Sequence, residues 1–393
     1  MTEQELGKKY SQCVNVLIFI FPIVINSVKV AGDIVLFFLA MMGICIAVLQ
    51  KLSPFTIKDI KVFSYITTGY FFALCLSVIF SGKAIELAHF LPRNFHFLFA
   101  PFIALTFYKA KINLNYVFAG IKVGLIVLGI IIINQLLSGV NRPSGVMNVA
   151  VFANLTVSMF FVVLVFFQQE SFKQKMFTFL SLLSGLLVII SSGTRGAWFT
   201  FIILLGLFIF LLYKEKAELS NISKIILALM VTAILFFSGY KQYVNDRVYI
   251  AYKQASNWFY GDDASSTIGL RLEMYNTAID NIEDVPFFGY GYRTSNLVLF
   301  NNASSETGKD LKMLNHLHNA YLDSLYNGGI VLLGALLLLL FFPLKIFIKA
   351  ISQTRYKPVY TAGVLLTVGF ATHGLFNVLF GDVFINAFSK RAT

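Results

Sequence analysis

Charge is scarce in this chain. Of its 393 residues only 13 % are Asp, Glu, Lys or Arg, whereas 58 % are hydrophobic. A soluble fold of this length needs a far more polar surface, and disordered chains and coiled coils need more charge still; all three are excluded. Cysteine is nearly absent. Cys13, Cys45 and Cys75 lie in or beside apolar runs, which leaves no disulfide framework or thiolate metal site and marks them as small core residues. Soluble-enzyme motifs are missing too: there is no phosphate loop, dinucleotide fingerprint, zincin helix or Asp-rich metal motif. No small-residue cleavage site follows the first apolar run, so no cleavable signal peptide is expected.

Long apolar runs fill the space. Mean hydropathy is +0.76. Spans are expected at 14–31, 34–50, 62–81, 95–108, 116–135, 149–168, 176–192, 197–213, 223–239, 329–348, 359–377 and, shorter, 376–389. They are too long and too continuously apolar for barrel strands, so the chain reads as an all-α polytopic membrane protein with about twelve transmembrane helices. No internal repeat is visible, which weakens an inverted-repeat transporter.

The net charge of +12 resembles a nucleic-acid signature, but its distribution says otherwise. With the N-terminus cytoplasmic, eighteen of the 31 Lys and Arg residues, Lys8, Lys109, Lys173, Lys214, Lys349 and Lys390 among them, fall in cytoplasmic connectors. Short outer connectors hold five, one long loop holds seven, and Lys122 lies inside a span. That asymmetry is a topology signal, with both termini cytoplasmic, and no nucleic-acid partner is implied.

Three segments follow: transmembrane helices over 1–238, a polar extracytoplasmic loop over 239–317, and C-terminal transmembrane helices over 318–393. A loop that long inside a compact protein is usually functional. Its middle, Leu270 to Ile282, repeats apolar residues at helical spacing (Leu270, Met274, Ala278, Ile282), and Pro286 is expected to end that helix.

Polar groups at the outer face are the candidates for chemistry. Arg195 sits in a very short polar turn, "SSGTR", between two spans. It suits a bidentate clamp for a lipid-linked phosphate, and it equally suits an interfacial Arg snorkelling to head groups. Arg271 lies on the loop helix beside Glu273, where a solvated ion pair is the alternative. Arg142 and Arg93 occupy two further outer connectors; the four could converge on one anion or be scattered surface charge. His316 and His318 form a His-x-His pair without a visible third metal ligand, and on a helix their side chains would point apart. At a polar-to-apolar boundary, followed by Asn319, His318 suits a general base for a sugar hydroxyl, or else a cap for the helix starting there. Asp323 could orient the imidazole only if that helix starts irregularly.

"SSGTRGAW", "GLRLEMYNTAIDNIEDVPFFGYG" and "HLHNAYLDSLYNGG" resemble, in order and spacing, the O-antigen ligase family of Gram-negative bacteria, which groups with O-antigen polymerases and some protein O-oligosaccharyltransferases. The family's late His-Asn…Gly pattern is matched by His318, Asn319 and Gly329 and departs at Leu332. "NRPSGVMNVAVFANL" resembles the group's Arg-x-x-Gly…Asn-Pro segment, with Val149 in place of Pro.

The resemblance implies a GT-C-like membrane glycosyltransferase of the bacterial inner membrane, with a large periplasmic loop and a periplasmic active site. It implies transfer of a polysaccharide from undecaprenyl diphosphate to a sugar hydroxyl of lipid A–core, in lipopolysaccharide biosynthesis. Arg195 and Arg271 would bind the diphosphate and His318 would be the catalytic His, with inversion and without metal or cofactor. Arg142, Arg93, His316 and Asn319 are further candidates for substrate binding. A polymerase or protein ligase using the same donor stays open, as does, from a different class, an anionic-lipid transporter.

Overall fold

The computed structural model describes residues 3–80, 87–167, 170–214, 241–261, 265–291, 316–351 and 357–379. Among them there is no strand. The helices are α1 (Glu3–Val24), α2 (Ala31–Leu49), α3 (Lys61–Phe80), α4 (Leu87–Ala110), α5 (Leu114–Leu137), α6 (Val149–Phe166), α7 (Phe172–Ser191), α8 (Arg195–Lys214), α9 (Lys241–Gly261), α10 (Thr267–Asp280), α11 (Ala320–Ile351) and α12 (Lys357–Gly374). Seven of these (α2, α3, α5, α6, α7, α8 and α11) are long and apolar enough to cross a membrane.

Helices α1, α4 and α12 also coincide with expected spans but carry more polar residues, such as Lys8 and Lys9 in α1 and Lys357 in α12. α1 ends at Val24, well short of the expected residue 31, because a turn through Asn26 and Ser27 precedes α2. The expected span 223–239 lies outside the described residues. So does most of 376–389, and its first residues form turns rather than helix.

α6 is the hub. Nearly all its residues are buried, and α5, α7, α8 and α12 surround it. Its polar members cost little because Thr156 and Ser158 donate to the carbonyls one turn back, at Phe152 and Asn154. The remaining helices pack as neighbours: α1 on α5 and α2, α4 on α2 and α3, α11 on α3 and α12. Small residues allow the closest approaches, as expected where packing rather than water drives helix association. A Cβ on Gly43 of α2 would sit 1.9 Å from the Phe102 carbonyl oxygen of α4.

One sequence expectation needs correction here. Cys13 and Cys45 are exposed on helix surfaces and Cys75 is half-buried, so none is a core residue; a thiol tolerates a lipid-facing position as readily as a buried one. Lys122, inside its expected span, has a partner: its ammonium pairs with Glu170, whose other oxygen accepts from the Thr178 hydroxyl. Both charged side chains are about nine-tenths buried. Removing one partner strands the other, so Lys122→Met should cost about 3–5 kcal/mol. Thermal denaturation in detergent should show that loss, and Glu170→Gln added to Lys122→Met should recover most of it.

Candidate active site

The "SSGTR" turn is built to hold Arg195 in place. Ser192 ends α7, and Gly193 follows in the left-handed region (φ 59°), where its amide donates to the Ile190 carbonyl. The Thr194 carbonyl accepts from the amides of Ala197 and Trp198, which starts α8 with Arg195 as its first residue. Trp198 Nε1 donates back to Ile189 at 3.0 Å, locking α8 to α7. Arg195 is thus a half-buried cation at the positive end of a helix dipole, a placement that favours an anion beside it.

The connector between α5 and α6 brings Arg142 to the same turn. Gln135 Oε1 accepts from the amides of Ser144 and Gly145, and its Nε2 donates to Gly145 at 3.0 Å. From this tied loop Arg142 Nε donates to the Ser192 carbonyl at 3.4 Å. Asn148 caps α6 by accepting from Ala150, which makes Val149 the first helical residue, a position that tolerates Pro equally well. The departure at Val149 therefore leaves the backbone path intact.

α10 supplies Arg271. Leu270, Met274 and Ala278 line its inner stripe and pack with Leu317, Leu322 and Tyr326 in a small core. Arg271 and Tyr275 occupy the adjoining stripe, one turn apart. Glu273 does not pair with Arg271: its Oε2 accepts from Trp258 Nε1 of α9 at 2.9 Å. The helix ends at Asp280, earlier than expected, because Asn281 folds back onto the Thr277 carbonyl; Ile282 belongs to a 3-10 turn, and Pro286 to the following bend.

His316 and His318 lie in irregular chain just before α11, so their rings meet, with centroids 4.2 Å apart. His318 adopts φ 50°, a strained setting for a non-glycine residue and a common one at functional sites. Tyr275 Oη donates to its carbonyl at 2.9 Å, tying it to the helix of Arg271. Asn319 is the cap: its Oδ1 accepts from the amides of Tyr321 and Leu322. Asp323 reaches the backbone instead of the imidazole, accepting from the Leu317 amide at 3.1 Å and from Asn327 Nδ2 at 2.9 Å. The carboxylate thereby fixes the chain between the two histidines.

Gly329 explains the glycines on both sides of the site. It breaks α11 with φ 63° and ψ −162°, and the bend Phe287–Gly289 lies against it. Tyr290 and Gly291 amides donate to the carbonyls of Tyr326 and Asn327 at 2.8 and 3.1 Å. Tyr326 Oη donates to Ala278, closing α10, the bend and α11 into one unit. Leu332, where the sequence departs from that pattern, is buried against Gly328.

The electrostatics draw these pieces together. Arg195 interacts with Arg271, Arg247 and Arg142. Among the described residues no carboxylate forms an ion pair with Arg195 or Arg271. His318 is pushed down to about 3, by burial first, then by His316 and Arg271, so its imidazole is neutral at physiological pH. Its Nδ1 is buried without a hydrogen-bond partner among the described residues. No trio of His, Cys, Asp or Glu among the described residues is grouped to hold a metal.

Arg93 is not in a connector: it lies inside α4, whose helix begins at Leu87, and its side chain is outside the described residues. Arg247 and Tyr275 are site residues that do not emerge from the sequence. The available signal for Arg247 is the spacing Arg247, Ala251, Ala255, Trp258, one face of a helix that is otherwise too polar and aromatic to stand out.

Residues 179–339 match the family described as O-antigen ligase. An uncharacterized protein of Haemophilus influenzae is 24 % identical over 347 residues, which is 86 % of each chain. The matched segment contains Arg195, Arg247, Arg271, His318 and the Gly329 kink, so the similarity to the O-antigen ligase family falls on the part of the chain that builds this site.

Proposed function

We propose that this protein transfers a polysaccharide from undecaprenyl diphosphate to a sugar hydroxyl of lipid A–core at the periplasmic face of the bacterial inner membrane. The observation that carries this reading is the gathering of Arg142, Arg195 and Arg271 beside a neutral His318. Outside the cytoplasm no nucleotide drives the reaction, so the driving force resides in the donor's diphosphate linkage.

The chemistry follows from the groups present. The acceptor hydroxyl gives its proton to His318 Nε2 while its oxygen bonds to the anomeric carbon. The bond from that carbon to the phosphate oxygen breaks on the opposite face, which inverts the centre. The electron pair stays on the diphosphate, where Arg195 and Arg271 meet the developing charge. Burial is the main cause that holds His318 down and Arg271 the smallest of the three, so a bound diphosphate that offsets Arg271 shifts the imidazole upward from about 3. The apolar helices would offer a lateral route for two lipid substrates.

The test is reconstitution of purified protein with undecaprenyl-diphosphate-linked glycan and lipid A–core, without nucleotide or divalent metal. A ladder on lipid A–core is the expected product. Arg271→Ala should lower transfer by about 10²–10³-fold, since one donor to developing charge typically contributes that much, and Arg271→Lys should recover only part of it. Longer glycan still on undecaprenyl diphosphate would replace the ligase reading by a polymerase. Donor binding without any product would favour a transporter.

A further inference from the structure

Among the described residues, α12 is the helix that the two halves of the site share. α8, which Arg195 begins, packs on α6, α7 and α12, whereas α11, which follows His318, packs on α3 and α12. The outer end of α12 meets α8 at two levels. A Cβ on Gly369 would lie 3.2 Å from Leu204 Cδ1, and a Cβ on Gly196 would lie 3.2 Å from Phe376 Cβ. Phe376 also sets its ring edge-on against Phe199, with centroids 5.2 Å apart. Its seat is therefore the start of α8, and Gly196 is the residue after Arg195.

The other side of the same segment holds the histidine. Tyr275 Oη, which donates to the His318 carbonyl at 2.9 Å, lies 3.4 Å from the Leu375 carbonyl as well. Tyr321, three residues past His318, donates to the Ala371 carbonyl at 2.7 Å, and a Cβ on Gly374 would sit 3.3 Å from its ring. Backbone geometry makes this double contact possible. The Phe376 and Asn377 amides both turn back onto the His373 carbonyl, at 3.0 and 3.1 Å, which ends α12 in a tight turn. Leu375 and Phe376, adjacent in that turn, reach opposite halves of the site.

We propose that Phe376 is a positioning residue for glycan transfer. Seated on Gly196 and Phe199, and joined through Leu375 to Tyr275, it sets the separation of Arg195 and the His318 imidazole. This role rests on the transfer reading given above. In that reaction the leaving diphosphate and the incoming hydroxyl lie on opposite faces of one anomeric carbon, so Arg195 and His318 must be held at one distance. A misplacement of about 1 Å costs on the order of 10²-fold in rate. The role also gives Gly196 a purpose, since a side chain there would press on Phe376 at 3.2, 3.4 and 3.5 Å.

The test is the transfer assay on the purified full chain in nanodiscs, with undecaprenyl-diphosphate-linked glycan titrated against saturating lipid A–core. Phe376→Ala should lower kcat about tenfold or more and leave the donor KM within about threefold, because the long Arg195 side chain still reaches bound diphosphate while the transition state loses its alignment. Phe376→Leu, which refills the seat, should recover most of the rate. Phe370→Ala is the control, an exposed phenylalanine of the same helix, and should behave as wild type. Tyr275→Phe cuts the other end of the tie, so adding it to Phe376→Ala should slow transfer little beyond the slower single variant.

A folded Phe376→Ala whose kcat stays within about twofold of wild type would overturn the role. A double variant as slow as the product of the two single effects would do the same, because it would mark two unrelated packing defects. Should Phe376→Ala fail to fold, Phe376→Val takes its place with the same outcomes. Those results would remove the Phe376 role alone. Wild type that binds donor and transfers nothing would overturn the transfer reading along with it.

Discussion

His318→Ala should remove glycan transfer while leaving donor binding in place. General-base catalysis contributes about 10²–10⁴-fold, so kcat should fall by that much, with the donor Kd within a few-fold of wild type. The pH profile is the sharper check. In the free enzyme His318 titrates at about 3, so kcat/KM should stay level from pH 8 down through 6.5 and fall only well below it. With donor bound, the diphosphate offsets Arg271 and raises the imidazole, so the acid limb of kcat should lie at higher pH than that of kcat/KM. A kcat/KM that halves near pH 6.5 would show that burial does not hold the free imidazole neutral.

The same depression has a stability consequence. Below pH 6.5 an unfolded chain protonates this histidine and the native site does not, so the native state binds fewer protons. The stability tied to a neutral His318 is complete above pH 6.5 and is lost as pH falls toward 3. Wild type should therefore lose more thermal stability than His318→Gln between those limits, measured as Tm in matched detergent.

Gly329→Ala should abolish activity by a different route. The backbone at φ 63° and ψ −162° is open essentially to glycine alone and costs another residue about 1–3 kcal/mol. The larger obstacle is space: an added Cβ would lie 1.9 Å from the Phe287 carbonyl oxygen and 2.6 Å from the Gly289 amide nitrogen. Neither atom can yield without opening the bend that ties α10 to α11 through Tyr290, Gly291 and Tyr326. Arg271 and His318 hang on opposite sides of that tie, so their mutual placement goes with it. Transfer should be undetectable, and limited proteolysis should cut the 282–291 segment faster than in wild type. Gly334→Ala is the control, since nothing lies within 4 Å of a Cβ there; it should behave as wild type.

The membrane class and most span positions were legible in the residues themselves. Backbone groups in lipid must be satisfied within the helix, so apolar runs such as Leu114–Leu137 and Arg195–Lys214 have no other regular structure open to them. Helix α10 was legible for a similar reason: Leu270, Met274 and Ala278 repeat at one helical face and pack where that face directs them. Its end was not, because Asn281 folds back on Thr277 before Pro286 has any effect, and side-chain capping of that kind leaves no periodic trace.

The composition also could not say what each charged group faces. Glu273 beside Arg271 suggested a local pair, but side chains two apart on a helix point in different directions, and Glu273 met Trp258 instead. Lys122 inside a span gave no sign of its partner, Glu170, which the α6–α7 connector delivers. Arg247 sat unnoticed in a polar, aromatic stretch, because only the packing of α9 on α10 selects which of its faces turns inward. Sequence alone thus determined that this is a helical membrane protein with arginines and a histidine at its polar boundaries, since hydropathy and motif spacing are properties of the chain. Only the tertiary structure decided that Arg142 reaches the turn before Arg195 and that the helix of Arg271 is tied to His318 through Tyr275, because such contacts join elements distant in sequence.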